Sequence, residues 1–227
     1  MTKAVNPVSG LTGDPAFLAT TFVVIDFEAT TPSGYPAQPV EIAVLAARYH
    51  EGAFRTVGRG ASLIRPPAFA PVTPMFTAQT GLTAHDLADA PTPAQALGAL
   101  DSRFTPDRRY LLVAQHAATE AGLIHHQREH CPALARIDLL DTIPLAKHLI
   151  PGLPNYRLDT LLAHLSIRHP PDRHRAAADV EVTAQVFFHL IAAADRDAQL
   201  CDLAALIKLA GRTAKCNQPA QDGLFDL

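Results

Sequence analysis

Thr21-Phe22-Val23-Val24-Ile25-Asp26-Phe27-Glu28 decides how the chain is read. Its β-branched and apolar side chains make a buried strand. The run Ala29-Thr30-Thr31-Pro32-Ser33-Gly34-Tyr35-Pro36 breaks it. Side chains alternate along a strand, so the carboxylates of Asp26 and Glu28 share a face while Phe27 points to the core. Two acids at the carboxyl end of a buried strand repel each other and are costly to desolvate. A hard divalent cation is the common remedy. Taken alone, an Asp-x-Glu also fits two solvated acids on a fraying strand.

Outward from this strand, Val40–Tyr49 and Phe54–Ile64 read as two further strands turned by Glu51-Gly52, an antiparallel meander. Residues 65–92 are proline-rich and read as an irregular connection with a helical turn near Ala84–Leu87. Pro93 opens a helix to Phe104. Tyr110–Ala114 is a fourth strand, Ala117–His130 a helix and Ile137–Leu140 a short strand. Helices follow from Pro144 to Leu149, after Asn155, and from the basic loop Arg168–Arg175 to about Ala194. A last helix covers Ala198–Ala210. Strands first, then strands alternating with helices, predict an α/β fold with a central mixed sheet flanked by helices.

The chain has 227 residues, 48% hydrophobic and 18% charged, which excludes a disordered or solvating polypeptide. A net charge of −3 gives no global basic field, so any polyanion site must be local. Three scattered cysteines without a CxxC argue against a disulfide framework or zinc ribbon. The N-terminus lacks the apolar stretch of a signal peptide, and the apolar runs are too short to span a bilayer. The expectation is a cytoplasmic protein with no membrane partner. His125, His126, His130 and Cys131 cluster on one helix and its end. The i,i+4 pair His126/His130 suits zinc, but a surface histidine cluster is the simpler reading.

A second feature with chemistry in it is His174-Arg175-Ala176-Ala177-Ala178-Asp179. Five helical steps leave the first and last side chains about 140° apart, so one helix cannot aim both at one point. With His174 on the loop and Asp179 in the first turns of the helix, the acid can join Asp26 and Glu28. The imidazole then approaches from outside, able to take a proton from a metal-bound water.

At Asp26/Glu28 and His174/Asp179 the chain resembles the DEDDh 3′–5′ exonucleases, the DnaQ-like group that includes the proofreading subunit of DNA polymerase III and ribonuclease T. The resemblance runs over about residues 20–192. It takes in Pro39-Val40-Glu41-Ile42-Ala43, Thr80-Gly81-Leu82-Thr83 with Ala90-Pro91, Leu140-Asp141-Thr142 and Tyr156–Leu161. It implies a ribonuclease H-like fold with a five-stranded mixed sheet. With a Pro-, Gly-, Ser- and Thr-rich start and a Gln-, Asn-, Gly- and Pro-rich end, the chain divides into a flexible leader (1–18), an exonuclease domain (19–195) and a C-terminal helix with a mobile tail (196–227).

The family's third acid aligns with Glu120 in Val113-Ala114-Gln115-His116-Ala117-Ala118-Thr119-Glu120, where Glu replaces Asp. The extra methylene adds about 1.5 Å of reach. Asp141 and Asp138 are weaker substitutes. The resemblance implies two Mg²⁺ or Mn²⁺ ions held by Asp26, Glu28, Glu120 and Asp179, His174 as base, and release of nucleoside 5′-monophosphates from a 3′ end. Ala29 and Thr30 would meet the terminal sugar, Phe76 and Leu82 would wedge against the last base, and Arg173 and Arg175, with Arg168, would hold the phosphate backbone. Single-stranded DNA is the leading substrate, RNA the alternative. A catalytically silent nucleic-acid or polymerase-associated module is the reading from another class. A polymerase or repair partner and a homodimer are further implications.

Overall fold

A computed structural model describes residues 10–170 and 174–218. After a 3₁₀ turn at Leu11–Gly13, the helices are α1 (Pro15–Leu18), α2 (Pro74–Thr80), α3 (Ala84–Leu87), α4 (Pro93–Asp101), α5 (Ala118–His126), α6 (Thr142–Leu149), α7 (Leu158–His164), α8 (Ala176–Ala194) and α9 (Leu203–Ala210). The strands are β1 (Thr20–Thr30), β2 (Gln38–His50), β3 (Ala53–Leu63), β4 (Arg109–Ala114), β5 (Leu139–Asp141) and β6 (Gly211–Arg212). They form one sheet in the order β3-β2-β1-β4-β5-β6. The meander β1–β2–β3 is antiparallel, whereas β4 runs parallel to β1 and β5 parallel to β4. The mixed α/β sheet is as expected, with a sixth strand: Gly211-Arg212 pairs antiparallel with β5, too short to leave a periodic signal.

β1 is the hub. Its residues alternate between two cores, Phe22 and Val24 on one face and Val23 and Ile25 on the other. The first core is covered by α8, whose Val180, Ala184, Phe187 and Ile191 are all buried. By length and composition α8 could cross a membrane, but 56% of that window is packed inside the fold, as in a core helix. The second core lies under α4 and α5. Because β1, β4 and β5 are parallel, their carboxyl ends lie together, and the loops leaving them build one rim.

Three expectations about the periphery change. Residues 10–18 are not a loose leader: Leu11 and Phe17 are fully buried, and Asp14 caps α1 through the Ala16 and Phe17 amides. Residues 211–218 are not free tail, since they make β6 and a 3₁₀ turn whose Ala214 amide donates to Asp138 at 2.8 Å. The connection 65–92 contains α2, capped by Thr73 with Pro74 at its first position, before α3.

Candidate active site

Asp26 and Glu28 leave β1 at the rim, and Asp179 reaches them from the first turn of α8. One carboxylate oxygen from each lies within 4.8 Å of the others, with Asp179 buried and the two strand acids half-buried. A bulge between Glu28 and Ala29 breaks the β1–β2 register at this point. Bulges bend a strand and re-aim the side chains beside them. Three carboxylates this close repel one another, and partial burial removes the water that would screen them. The donor set consists only of hard oxygens, which suits Mg²⁺ or Mn²⁺ and not a soft ion.

α8 starts with Ala176-Ala177-Ala178, and Arg175 at its N-cap offers no capping side chain. The cap comes from across the sheet. Glu41 on β2 is 4% exposed and accepts the Ala176 amide at 3.1 Å. The same carboxylate takes a two-pronged pair from Arg175, Nε at 3.0 Å and Nη2 at 2.9 Å. Glu41 is also the cross-strand partner of Glu28. One buried acid therefore ties the strand that carries two of the converging acids to the helix that carries the third. In the sequence Glu41 is visible only as part of a matching segment, and Arg175 only as an expected phosphate contact. In the structure the Arg175 guanidinium is engaged with Glu41, and its charge offsets that buried acid. His174, immediately before it, is exposed on a turn with φ of +66°, a left-handed backbone that an L residue keeps only when its surroundings enforce it.

Glu120 stands apart from the three-acid set. It lies in the first turn of α5, which follows β4 and so sits at the same rim, but it is 4% exposed and its Oε2 finds no hydrogen-bond partner among the described residues. Burial, with the Asp141 charge adding to it, pushes its carboxyl up to about 8. The site therefore favours the protonated form of this acid. Neither expected substitute is available. Asp141 accepts the His116, Ala117 and Ile143 amides at 3.2, 3.1 and 2.9 Å and so caps two helix starts. Asp138 bonds the Ala214 amide at the amino end of β5, the far end of the sheet.

The expected substrate contacts are also redistributed. Phe76 and Leu82 pack with Val40 and Leu87 in a small core of their own, 9% and 3% exposed, so neither presents a surface to a base. Thr30 is buried and its hydroxyl donates to the Ala70 carbonyl at 3.3 Å, which leaves Ala29 as the half-buried residue next to the acids. Arg168 is exposed. Arg173 lies outside the described residues. The histidine cluster forms no three-ligand group among the described residues. Cys131 is fully buried, its thiol pushed up to about 12 chiefly by that burial, and His125 faces the Cys216 thiol at 3.6 Å.

The exonuclease family model, RNase_T, matches residues 23–187. The chain belongs to the DnaQ-like 3′–5′ exonuclease family. It is 30% identical over 192 residues to a PolC-type DNA polymerase III of Oceanobacillus iheyensis, covering 82% of this chain and 12% of that one. It is 28% identical over 171 residues to the 3′–5′ exonuclease DinG of Bacillus subtilis, 75% of this chain and 17% of that protein. The chain thus corresponds to a small part of these relatives. Among solved structures, the nuclease domain of 3′hExo, a DEDDh family member bound to rAMP, superposes with a TM-score of 0.64 at 16% identity over 79% of this chain and 94% of that domain. Exonuclease X in complex with 5′-overhanging duplex DNA gives 0.58 at 22%, over 81% and 99%. The shared fold is the ribonuclease H-like one.

Proposed function

We propose that this exonuclease-family domain hydrolyses single-stranded DNA from its 3′ end, releasing nucleoside 5′-monophosphates with a divalent metal. The observation that carries the reading is the convergence of Asp26, Glu28 and Asp179 within 4.8 Å beside a helix start bearing an exposed histidine. The three carboxylates would hold a Mg²⁺ or Mn²⁺ ion, and the extended arm of Glu120 would serve a second. Metal ions in such a site would supply Lewis-acid polarisation of the phosphoryl group and a water of lowered pKa. His174 takes the proton of the attacking water on its imidazole. The Glu41–Arg175 pair holds the turn from which His174 projects and keeps Asp179 in register with the strand acids. Similarity to PolC-type polymerases supports a polymerase as the working partner.

The test is a 5′-labelled oligonucleotide incubated with Mn²⁺ or Mg²⁺. A ladder shortening from the 3′ end is expected from the wild type and none from Asp26→Ala. Absence of any shortening with either ion overturns the reading. RNA run beside DNA decides the substrate. One observation favours a second reading, the catalytically silent module: Glu120 is outside the acid set, and its Oε2 has no hydrogen-bond partner among the described residues. Under that reading the oligonucleotide binds but stays intact, and Glu120→Asp does not restore cleavage.

A further inference from the structure

Five large apolar side chains are exposed among the described residues: Leu18, Tyr35, Val57, Phe69 and Met75. Two of them meet. Tyr35, 59% exposed, and Phe69, 48% exposed, lie with ring centroids 4.7 Å apart and planes inclined by 33°. They come from different loops, Tyr35 from the β1–β2 connection and Phe69 from the segment before α2. Both loops are built turns: the Tyr35 amide donates to Pro32 O, with Gly34 at φ +77°, and the Ala70 amide donates to Pro67 O. The Phe69 loop is fastened to the catalytic strand by the bond from the Thr30 hydroxyl to the Ala70 carbonyl. Thr30 is two residues beyond Glu28, about 7 Å along a strand.

Two aromatic rings left in water on turned loops are costly unless something covers them. A core role is ruled out by their exposure, and the pair is too small for a protein interface. Its two rings are planar and apolar, and the Thr30–Ala70 bond ties the loop that carries Phe69 to the strand of Asp26 and Glu28. We propose that Tyr35 and Phe69 form a stacking platform for a nucleobase of single-stranded DNA, upstream of the scissile phosphate. The proposal rests on the exonuclease reading above. It also gives the base contact a physical home that buried Phe76 and Leu82 do not provide. Stacking accepts every base, so the platform adds affinity without sequence preference.

The experiment measures 3′-end hydrolysis kinetics on oligonucleotides carrying one abasic position at successive distances from the 3′ end, with wild type, Tyr35→Ala, Phe69→Ala, Tyr35→Phe and Phe69→Tyr. One abasic position raises KM in the wild type by about 5- to 150-fold, the range for loss of one stacked base. Each alanine variant raises KM on the intact strand by a similar factor, with the loss falling on KM and not on kcat, and flattens the abasic profile. The aromatic replacements restore both. Binding of the intact oligonucleotide to Asp26→Asn, measured by anisotropy with and without Tyr35→Ala, separates the two readings. Binding weakened by Tyr35→Ala, together with no cleavage by the wild type, would overturn hydrolysis and keep the platform. Cleavage with KM and abasic profile indifferent to Tyr35→Ala and Phe69→Ala overturns the platform and keeps hydrolysis. An alanine variant that loses activity through misfolding shows a lowered Tm, and the aromatic replacements then decide: failure of Phe69→Tyr and Tyr35→Phe to restore the abasic penalty counts against stacking.

Discussion

Glu120 is the residue whose charge the fold opposes and the proposed metal chemistry would need. Its carboxyl is buried, its Oε2 has no hydrogen-bond partner among the described residues, and burial pushes it up from 4.5 to about 8. A raised folded-state value means that the fold prefers the protonated form. The associated stability is fully present below about pH 4.5 and is lost as pH rises through about 8. Each pH unit in that window removes at most about 1.4 kcal/mol. Metal-free wild type should therefore melt at progressively lower temperature from pH 5 to 8, while Glu120→Gln, which keeps the shape without the charge, flattens the curve. Calorimetric Tm values across that range in a chelator check it, and parallel curves for the two proteins would remove Glu120 as the cause. Divalent ion should restore the wild-type Tm most at the alkaline end if Glu120 turns to a metal, and equally at all pH values if only Asp26, Glu28 and Asp179 hold one. Asp26 is the simpler case. It is one of the three converging carboxylates, and Asp26→Ala should abolish cleavage while relieving repulsion, so its metal-free Tm should not fall.

At the scale of the element, α8 matters most, because it carries Asp179 and follows His174. A helix that begins Arg-Ala-Ala-Ala has no capping side chain of its own, and Glu41 supplies the cap from β2, 135 residues earlier. Glu41→Gln keeps the volume but weakens the paired bond to Arg175 and the bond to the Ala176 amide. We expect a loss of about 1–3 kcal/mol of stability and a fall in kcat larger than the rise in KM, because the displaced groups are the proposed base and a proposed metal ligand. Urea unfolding and initial-rate kinetics measure the two effects, and an unchanged kcat would leave Glu41 a structural residue only. Arg175→Lys, which retains charge but not the two-pronged geometry, should fall between wild type and Glu41→Gln. The same helix shows how far the sequence can be read. β1, β2 and β4 announce themselves as apolar β-branched runs, and the close approach of Asp26 to Glu28 follows from strand alternation alone. The Glu41 cap leaves no local pattern, because its two partners are far apart in the chain; the one available sign was the missing cap at Arg175. The core position of Phe76 was hidden similarly. Thr73-Pro74 is a helix-start signal, but it sits in a proline-rich stretch that otherwise reads as irregular.

Across the whole molecule, the N-terminal segment and α9 both close over the face of the sheet that α8 covers. Phe17, fully buried, sits against Phe22, Tyr49 and Phe54 with ring centroids 5.0, 5.7 and 6.3 Å away. Phe22 and Phe54 in turn touch Phe187 of α8. The N-terminal segment thus finishes the packing around the helix that positions Asp179. Asp14 joins the two ends, since its carboxylate accepts the Ala16 and Phe17 amides and, at 2.9 Å, the Leu203 amide at the start of α9. The Leu203 bond is the main reason that the Asp14 carboxyl lies below the ordinary range. A lowered folded-state value contributes stability above about pH 3.8 that is lost as pH falls through the folded value. The acid limb of the stability curve should therefore move to higher pH in Asp14→Asn only if other acids dominate, and should become shallower if Asp14 is a principal contributor. The stronger test is Phe17→Ala. It empties a fully enclosed site and should cost about 3–5 kcal/mol. The deficit should reach the active site through Phe22, Phe187 and α8. We expect Tm to drop by many degrees, and cleavage below that Tm to slow through kcat with KM for the strand little changed, because Tyr35 and Phe69 make no ring contact with this packing chain. Thermal melts and steady-state rates on one oligonucleotide measure both. A stability loss of that size with wild-type kcat at 20 °C would mean that α8 holds Asp179 through the Glu41–Arg175 pair alone and that the terminal packing is mechanically separate from the site.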